Sequence, residues 1–520
     1  MIALINPPGF KSLSGLQTHA PNPPLGLAYV AGALKAAALP YRVIDAAGEA
    51  LHQIRVYPER PDFMVQGLLP DEVIDRVPAG TRAIGITCLF SSLWPIVRDL
   101  AARARDRFPD ATLVLGGEHG TAVPEYVLRT SAFDVVVLGE GEETAVALFG
   151  AICDGRSYRD VPGLAYTDGS RVVNTGLSPR KKQVDEIAWP DWDTFPIEAY
   201  IAGDQMNGLN MGRSMPLLAT RGCPYQCTFC SSPSMWTQRY IPRAPAAVAD
   251  EIAFYRQTYR IENVDFQDLT AIVNRTWALE FARELVSRDL GVTWQMPSGT
   301  RSEVFDDEVT DWLYRSGCRA LSFAPESGDP AMLARIKKQV DLDHMIAAIR
   351  STVRQGFSLS CFFVIGFPDE TRGSLRATLR LIRRLAVLGL DEVSVAKFVP
   401  YPGSAMFRRL VAEGRIALND EFFIAPMDMF SAKSRSYCDA VSSRRLYWTM
   451  MWMYVNFFAI AFVCRPLRPL RIIAKALLTG HEESRYAKWL LDRLFTRRRW
   501  RREAVPAAMP HAEGLARKRA

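Results

Sequence analysis

Twice along its length the chain alternates short β-branched runs with helical stretches, and no other feature limits its fold so much. The first block reads IALIN (2–6), YRVID (41–45), AIGIT (83–87), TLVLGG (112–117) and DVVVLGEGE (134–142), with amphipathic stretches at 25–38 and 92–107 between them. Such alternation predicts an α/β fold with a doubly wound, Rossmann-like parallel sheet, whose ligand lies at the carboxyl ends of the strands. The second block carries six runs: PLLATRG (216–222), VDFQDL (264–269), TWQMPSG (293–299), RALSFAPESG (319–328), SLSCFFVIG (358–366) and EVSVAKFVPYP (392–402). Six β/α units predict an open (β/α)6 partial TIM barrel, with chemistry on the loops that follow each strand. A chain of 520 residues exceeds one core in any case, because single cores stop growing near ~250–300 residues.

The expected division is therefore a first domain over 1–150, a linker over 151–210, a barrel over 211–405, a helical segment over 406–500 and a disordered basic tail over 501–520. Within the linker, GLAYTDGSRVVNT (163–175) reads as a hairpin with Asp168-Gly169 at its turn, followed by the Trp- and Pro-rich AWPDWDTFP (188–196). The composition, 48% apolar and 23% charged, is that of a globular protein and excludes a disordered chain. The opening MIALINPPG reads as a buried strand rather than a leader peptide, so a cytoplasmic location is expected. A reducing compartment speaks against disulfides among the nine cysteines, and most of those outside the loop described next read as core fillers.

That loop is RGCPYQCTFCSS (221–232), which places Cys223, Cys227 and Cys230 directly after the first strand of the second block. Tetrahedral zinc takes four ligands, and the six histidines (His19, His52, His119, His344, His481, His511) all lie far away in sequence. Folding could still bring in a fourth ligand such as Cys318. An iron-sulfur cluster fits three soft thiolates better, with one iron left open.

Here the chain resembles the radical S-adenosylmethionine superfamily: Cys-x-x-x-Cys-x-x-Cys follows the first barrel strand, with the aromatic Phe229 just before the last cysteine. The resemblance implies a 4Fe-4S cluster whose fourth iron chelates the amino and carboxylate groups of S-adenosylmethionine. One electron then cleaves that ligand to methionine and a 5′-deoxyadenosyl radical. Glu326 and Ser327, in APESG, resemble the ribose-binding position; Asp268, Ser298 and Arg301 are expected in the same mouth, holding the ligand's charged ends. Gly366-Phe367-Pro368 and Pro402-Gly403 also resemble family signatures and read as backbone turns.

A second resemblance lies in the first block. No G-x-G-x-x-G follows its first strand, where Asn6-Pro7-Pro8-Gly9 stands instead. PNPPLGLAYVAGAL (21–34), Gly116-Gly117-Glu118-His119 and the turn Gly139, Glu140, Gly141, Glu142 resemble the cobalamin-binding domain fused to many radical S-adenosylmethionine enzymes. Thr87-Cys88-Leu89 stands for that domain's Ser-x-Leu, and Gly116-Gly117 for its Gly-Gly. Its Asp-x-His-x-x-Gly is absent, since the chain reads Asp45-Ala46-Ala47-Gly48, and His119 reads as structural or solvated rather than as an axial ligand.

Both cofactors together imply an oxygen-sensitive methyltransferase: S-adenosylmethionine methylates cob(I)alamin, and a substrate radical made by a second S-adenosylmethionine takes the methyl group from methylcobalamin. Radical carbon and cobalt must then nearly touch, so the cobalamin sheet is expected to face the barrel mouth. The alternative within the family is the anaerobic magnesium-protoporphyrin monomethyl ester cyclase type; outside it stands a non-enzymatic sensor. A small-molecule or lipophilic substrate and a reductant such as flavodoxin or ferredoxin are the expected partners.

Charge is uneven. Residues 465–520 hold fifteen Lys and Arg against five Asp and Glu, a surplus of ten, which leaves residues 1–464 at −3 within the total of +7. No recognisable nucleic-acid module accompanies the surplus, so nucleic acid is not an expected partner. The uncharged run LYWTMMWMYVNFFAIAFVC (446–464) has three readings: a helix buried against the barrel, an interfacial membrane helix, or a span. The RRRWRR run (497–502) suits anionic lipid, so peripheral contact with the inner face of the membrane is expected as an addition to the cytoplasmic location.

Overall fold

The computed structural model describes residues 1–12, 21–468, 470, 474 and 478. His19, most of the basic segment with RRRWRR, and the tail expected to be disordered lie outside the described residues.

The first block forms a sheet of seven strands: β1 (Ile2–Asn6), β2 (Tyr41–Asp45), β3 (Ala83–Thr87), β4 (Thr112–Gly116), β5 (Val135–Val137), β6 (Leu164–Asp168) and β7 (Arg171–Asn174). Their order is β2-β1-β3-β4-β5-β6-β7. The first five are parallel, and β6 and β7 add antiparallel at one edge. This doubly wound order reverses between β1 and β3, where such sheets leave a crevice at the carboxyl edge. Side-chain alternation explains the layers: Ile2, Leu4 and Val43 pack under helices Leu25–Ala36 and Glu142–Asp154, whereas Ala3, Ile5 and Ile44 belong to the core with helix Trp94–Arg107.

Two details differ from the sequence reading. The hairpin is not a free part of a linker but extends the sheet, and Asp168 pairs with Arg171, so the two-residue turn is Gly169-Ser170, one residue later than expected, with Gly169 at φ +60°. A small antiparallel sheet of Gly9–Ser12, Ile54–Tyr57 and Arg60–Gln66, unexpected from the sequence, buries Phe10, Tyr57 and Phe63 together. The Trp-rich passage wedges into the main core, where Trp192 donates to the Tyr255 hydroxyl at 3.1 Å.

The second block is a six-stranded parallel open barrel in sequential order: β8 (Ser214–Leu217), β9 (Asn263–Phe266), β10 (Thr293–Thr300), β11 (Cys318–Glu326), β12 (Ser358–Ile365) and β13 (Glu392–Lys397). Leu359, Cys361, Phe363 and Ile365 of β12 enter the core against the helices, while the intervening residues face the other way. Helix Ser443–Cys464 closes the free edge. Its Tyr454 hydroxyl accepts from the Val395 amide at 2.9 Å and donates to the Val395 carbonyl at 3.2 Å, satisfying backbone groups of the edge strand. Leu446, Met450, Met453 and Phe457 are fully buried on that side. The uncharged run is thus packed on the barrel along one face only.

Candidate active site

Beyond Leu217 the chain turns at Thr220–Arg221, which pairs antiparallel with Ile241–Pro242 and closes residues 222–240 into a loop at the barrel mouth. Gly222 opens it at φ +84°, and a Cβ there would fall on the Arg239 carbonyl oxygen, so the position requires glycine. The Thr228 amide donates to the Ile336 carbonyl at 2.9 Å, and the Thr228 carbonyl accepts from the Met406 amide at 2.8 Å. The cysteines are thereby held at both sides of the loop.

Burial raises the pKa of the Cys223, Cys227 and Cys230 thiols, and each of them feels the charge of another. The three sulfurs therefore share one region, and a positive metal centre is what would favour their ionised form there. Among the described residues no three His, Cys, Asp or Glu side chains are placed to hold a single metal ion. Cys318, the considered fourth zinc ligand, begins β11 and is fully buried in the core behind the strands. Phe229 packs its ring 5.6 Å from that of Phe367, bracing the loop.

Two of the residues expected at the mouth, Glu326 and Arg301, lie close enough to the cysteine loop for their charges to act on the Cys227 thiol. Glu326 ends β11 at φ +65°, a strained conformation for a residue with a side chain, and its buried carboxylate meets the Lys338 ammonium at 3.1 Å. Burial pushes the Glu326 carboxyl up against the opposing pull of Lys338. Arg301 lies 3.8 Å over the Tyr225 ring, pairs with Glu303 at 2.6 Å, and keeps a buried Nη1 with no hydrogen-bond partner. A buried unpaired guanidinium nitrogen is costly, and a carboxylate ligand is the group that would satisfy it. Lys338 and Tyr225 were not found from sequence, because nothing in KKQV or CPYQC marks either as facing the mouth before the chain folds.

Two others, Asp268 and Ser327, need correction. Asp268 does not offer its carboxylate to the mouth: it is buried and accepts from the Ala219 amide at 3.1 Å and the Thr220 hydroxyl at 2.5 Å, so it fixes the chain leading to the cysteines. The Ser327 hydroxyl is turned inward to Thr378 at 3.2 Å and the Asp329 amide at 3.2 Å, where it shapes the turn. Ser298 is exposed and accepts from the Asn207 amide at 3.3 Å.

At the carboxyl edge of the first sheet, Thr87 is paired in register with Gly116, and a Cβ on Gly116 would meet nothing within 4 Å. Gly117, at φ +101°, would bring its Cβ to 2.6 Å from the Cys88 carbonyl oxygen. Leu89 and its neighbour Phe90 are 51% and 62% exposed beside this open space. Open backbone flanked by uncovered apolar groups suits the broad face of a corrin ring. By contrast the loop after β2 is closed: Asp45 accepts from the Asn6 amide, the Gly48 amide and the Tyr200 hydroxyl, and burial raises it to about 6.

The turn after β5 also differs from expectation. Gly139, at φ +76°, shapes its backbone, but the Glu140 and Glu142 carboxylates are committed elsewhere. Glu142 binds Arg221 at 2.8 Å with both side chains buried, and Glu140 binds Arg180 at 3.0 Å with both half-buried. Arg221 is further flanked by the Tyr29 ring at 4.6 Å and the Trp236 ring at 5.6 Å. These carboxylates tie the sheet to the cysteine loop instead of facing a cofactor. His119, read from sequence as structural or solvated, is buried between Trp94 and Phe423; its Nδ1 lies 3.0 Å from the Ser91 hydroxyl, its Nε2 has no hydrogen-bond partner, and burial lowers its pKa to about 3.

The two regions meet, as cofactor geometry requires. Helix Glu118–Ala122, just after Gly117, packs against helix Ser232–Trp236 of the cysteine loop, and Tyr401, beyond β13, feels both Glu118 and Cys230. A Cβ on Gly403 would lie 2.5 Å from the Ser234 hydroxyl and 3.1 Å from Ala122, so loops of both blocks touch here.

Comparison with known proteins agrees. The Radical SAM superfamily profile matches residues 217–382, and that of the B12 binding domain matches residues 16–149. An uncharacterized methyltransferase of Pyrococcus horikoshii is 28% identical over 417 residues, 79% of this chain and 83% of the relative. The anaerobic magnesium-protoporphyrin IX monomethyl ester cyclase of Rubrivivax gelatinosus is 29% identical over 395 residues, 75% of this chain and 66% of the relative. Among solved structures, the radical S-adenosylmethionine methyltransferase TsrM of Kitasatospora setae superposes with a TM-score of 0.63 at 18% identity, over 88% of each chain, a likeness of fold. With a cysteine loop at the mouth of an open barrel and a B12-binding sheet against it, the chain belongs to the cobalamin-dependent radical S-adenosylmethionine enzymes, whose cofactors are a 4Fe-4S cluster, S-adenosylmethionine and cobalamin.

Proposed function

We propose that this enzyme methylates an unactivated carbon of a small or lipophilic metabolite. The packing of helix Glu118–Ala122 against helix Ser232–Trp236 carries the reading, because it sets the open carboxyl edge of the B12-binding sheet against the cysteine loop. Cys223, Cys227 and Cys230 would hold three irons of the cluster. Arg301 and Glu326 would take the charged and ribose ends of S-adenosylmethionine, with Lys338 and Tyr225 fixing them in place. Thr87, Leu89, Phe90, Gly116, Gly117, Gly139 and Gly141 would lie under the corrin. When bound, these groups supply an adenosyl radical and a transferable methyl group. The protein's own share is to orient the reactants and to exclude water between the two blocks.

A one-electron donor of the flavodoxin or ferredoxin class is proposed as the reductant, and contact with a membrane surface is taken up below from the C-terminal helix. The comparable identity to the cyclase of Rubrivivax gelatinosus keeps ring-forming chemistry as the second reading. Anaerobic reconstitution followed by mass spectrometry separates them. Methyl transfer gives both 5′-deoxyadenosine and S-adenosylhomocysteine, whereas 5′-deoxyadenosine alone contradicts it.

A further inference from the structure

The C-terminal helix has two apolar faces, and the barrel covers only one. Opposite the buried Leu446, Met450, Met453 and Phe457, a second stripe of Trp448, Trp452, Val455, Ala459 and Phe462 recurs at the same spacing of three and four residues. Trp448 is 61% exposed and Trp452 is 55% exposed. Large exposed apolar stripes of this kind mark interaction surfaces.

Helix Arg372–Leu388 runs parallel beside it. Arg383 donates to the Asn456 side chain at 2.9 Å, and Arg465 donates to the Leu388 carbonyl at 2.9 Å, which fixes the two helices in register. On this neighbour Arg372, Arg376, Arg380, Arg383 and Arg384 are all exposed, and the helix has no acidic residue. Arg444 and Arg445 are exposed at the start of the C-terminal helix. From residue 440 to 481 the sequence contains six Arg and Lys and no Asp or Glu. A row of arginines therefore flanks a stripe of tryptophan and aliphatic side chains, and basic chain continues beyond it.

We propose that these two helices dock the enzyme on an anionic phospholipid membrane, with the Trp448–Phe462 stripe in the acyl boundary and the arginines at the headgroups. Amphipathic surfaces of this composition bind in the interface plane, where apolar area and attraction to acidic lipid add. The charge pattern separates this occupant from a second copy of the chain. Pairing the stripe with itself would bring together arginine-bearing helices that carry no acidic residue of their own, with Asp343 of a neighbouring helix meeting Arg384 alone, at 3.6 Å, whereas anionic lipid neutralises the whole row.

The test uses the full chain with phosphatidylcholine vesicles with or without phosphatidylglycerol, read by co-sedimentation and by light scattering of the free protein. Binding is expected only with phosphatidylglycerol, accompanied by a blue shift of tryptophan emission. W448S/W452S is expected to weaken it about ten-fold or more while circular dichroism stays unchanged. R376E/R380E is expected to weaken it and to reduce its salt dependence. The proposal is overturned if the native chain ignores phosphatidylglycerol vesicles. It is equally overturned if both variants bind like the native chain while truncation after Cys464 abolishes binding, or if W448S/W452S turns a dimer into a monomer.

Discussion

The Arg221 guanidinium, two residues ahead of Cys223, sits 2.8 Å from the Glu142 carboxylate that begins a helix of the B12-binding sheet. Both side chains are nearly inaccessible, so the ion pair is a buried tie between the two cofactor-bearing blocks. Removing one partner of such a pair leaves an uncompensated charge. Glu142→Gln is expected to cost about 3–5 kcal/mol, read as a shift in the denaturant midpoint, and Arg221→Met about as much. The double variant should recover part of that loss, because the pair is then absent rather than broken.

Cys227→Ala should remove the cluster while sparing the first sheet. Iron and sulfide content after anaerobic reconstitution is expected to fall to background, and 5′-deoxyadenosine formation with it. Cobalamin uptake by the same full-length variant, read by its visible spectrum, should be unchanged, since Cys227 lies outside the open carboxyl edge around Gly116.

Gly117→Ala probes the other cofactor. At φ +101° an added Cβ is strained and meets the Cys88 backbone at 2.6 Å, so the lip of the sheet must shift. A destabilisation of about 1–3 kcal/mol is expected, together with weaker cobalamin binding by titration. Gly116→Ala, whose Cβ would enter open space, should leave stability unchanged and weaken cobalamin binding alone.

Asp268 gives a pH dependence. Burial raises its carboxyl from 3.8 to about 6, against hydrogen bonds from Thr220 and Ala219 that pull it down. The folded chain therefore holds this proton more tightly than the unfolded one. The stabilisation is complete below about pH 4 and is lost as pH rises toward about 6, an effect of about 2–3 kcal/mol at most. Asp268→Asn should flatten that window in thermal unfolding followed against pH. It should also loosen the cysteine loop, measurable as lower iron retention.

Much of this architecture was legible because periodicity speaks for buried strands. The alternation in IALIN sends Ile2 and Leu4 to one layer and Ala3 and Ile5 to the other, as a doubly wound sheet demands. The cysteine loop was legible too, because its ligand spacing is local in sequence. Side-chain direction at the mouth was not. Asp268 and Ser327 occupy the right loops yet turn back to serve Thr220 and Thr378, and Glu140 and Glu142 answer to arginines about 40 and 79 residues away. Lys338 becomes visible only when its loop returns to Glu326. Hydrogen-bond demand from distant chain segments decided each case, and a single sequence carries no local mark of it.

The most direct measurement uses S-adenosylmethionine with a trideuterated methyl group on the reduced, cobalamin-loaded enzyme, followed by mass spectrometry of the extracted corrinoid and of the nucleoside products. The trideuterated methyl group is expected on the corrinoid, together with S-adenosylhomocysteine in matching amount. An unlabelled corrinoid with 5′-deoxyadenosine as the sole nucleoside product would contradict methyl transfer and leave ring-forming chemistry in its place.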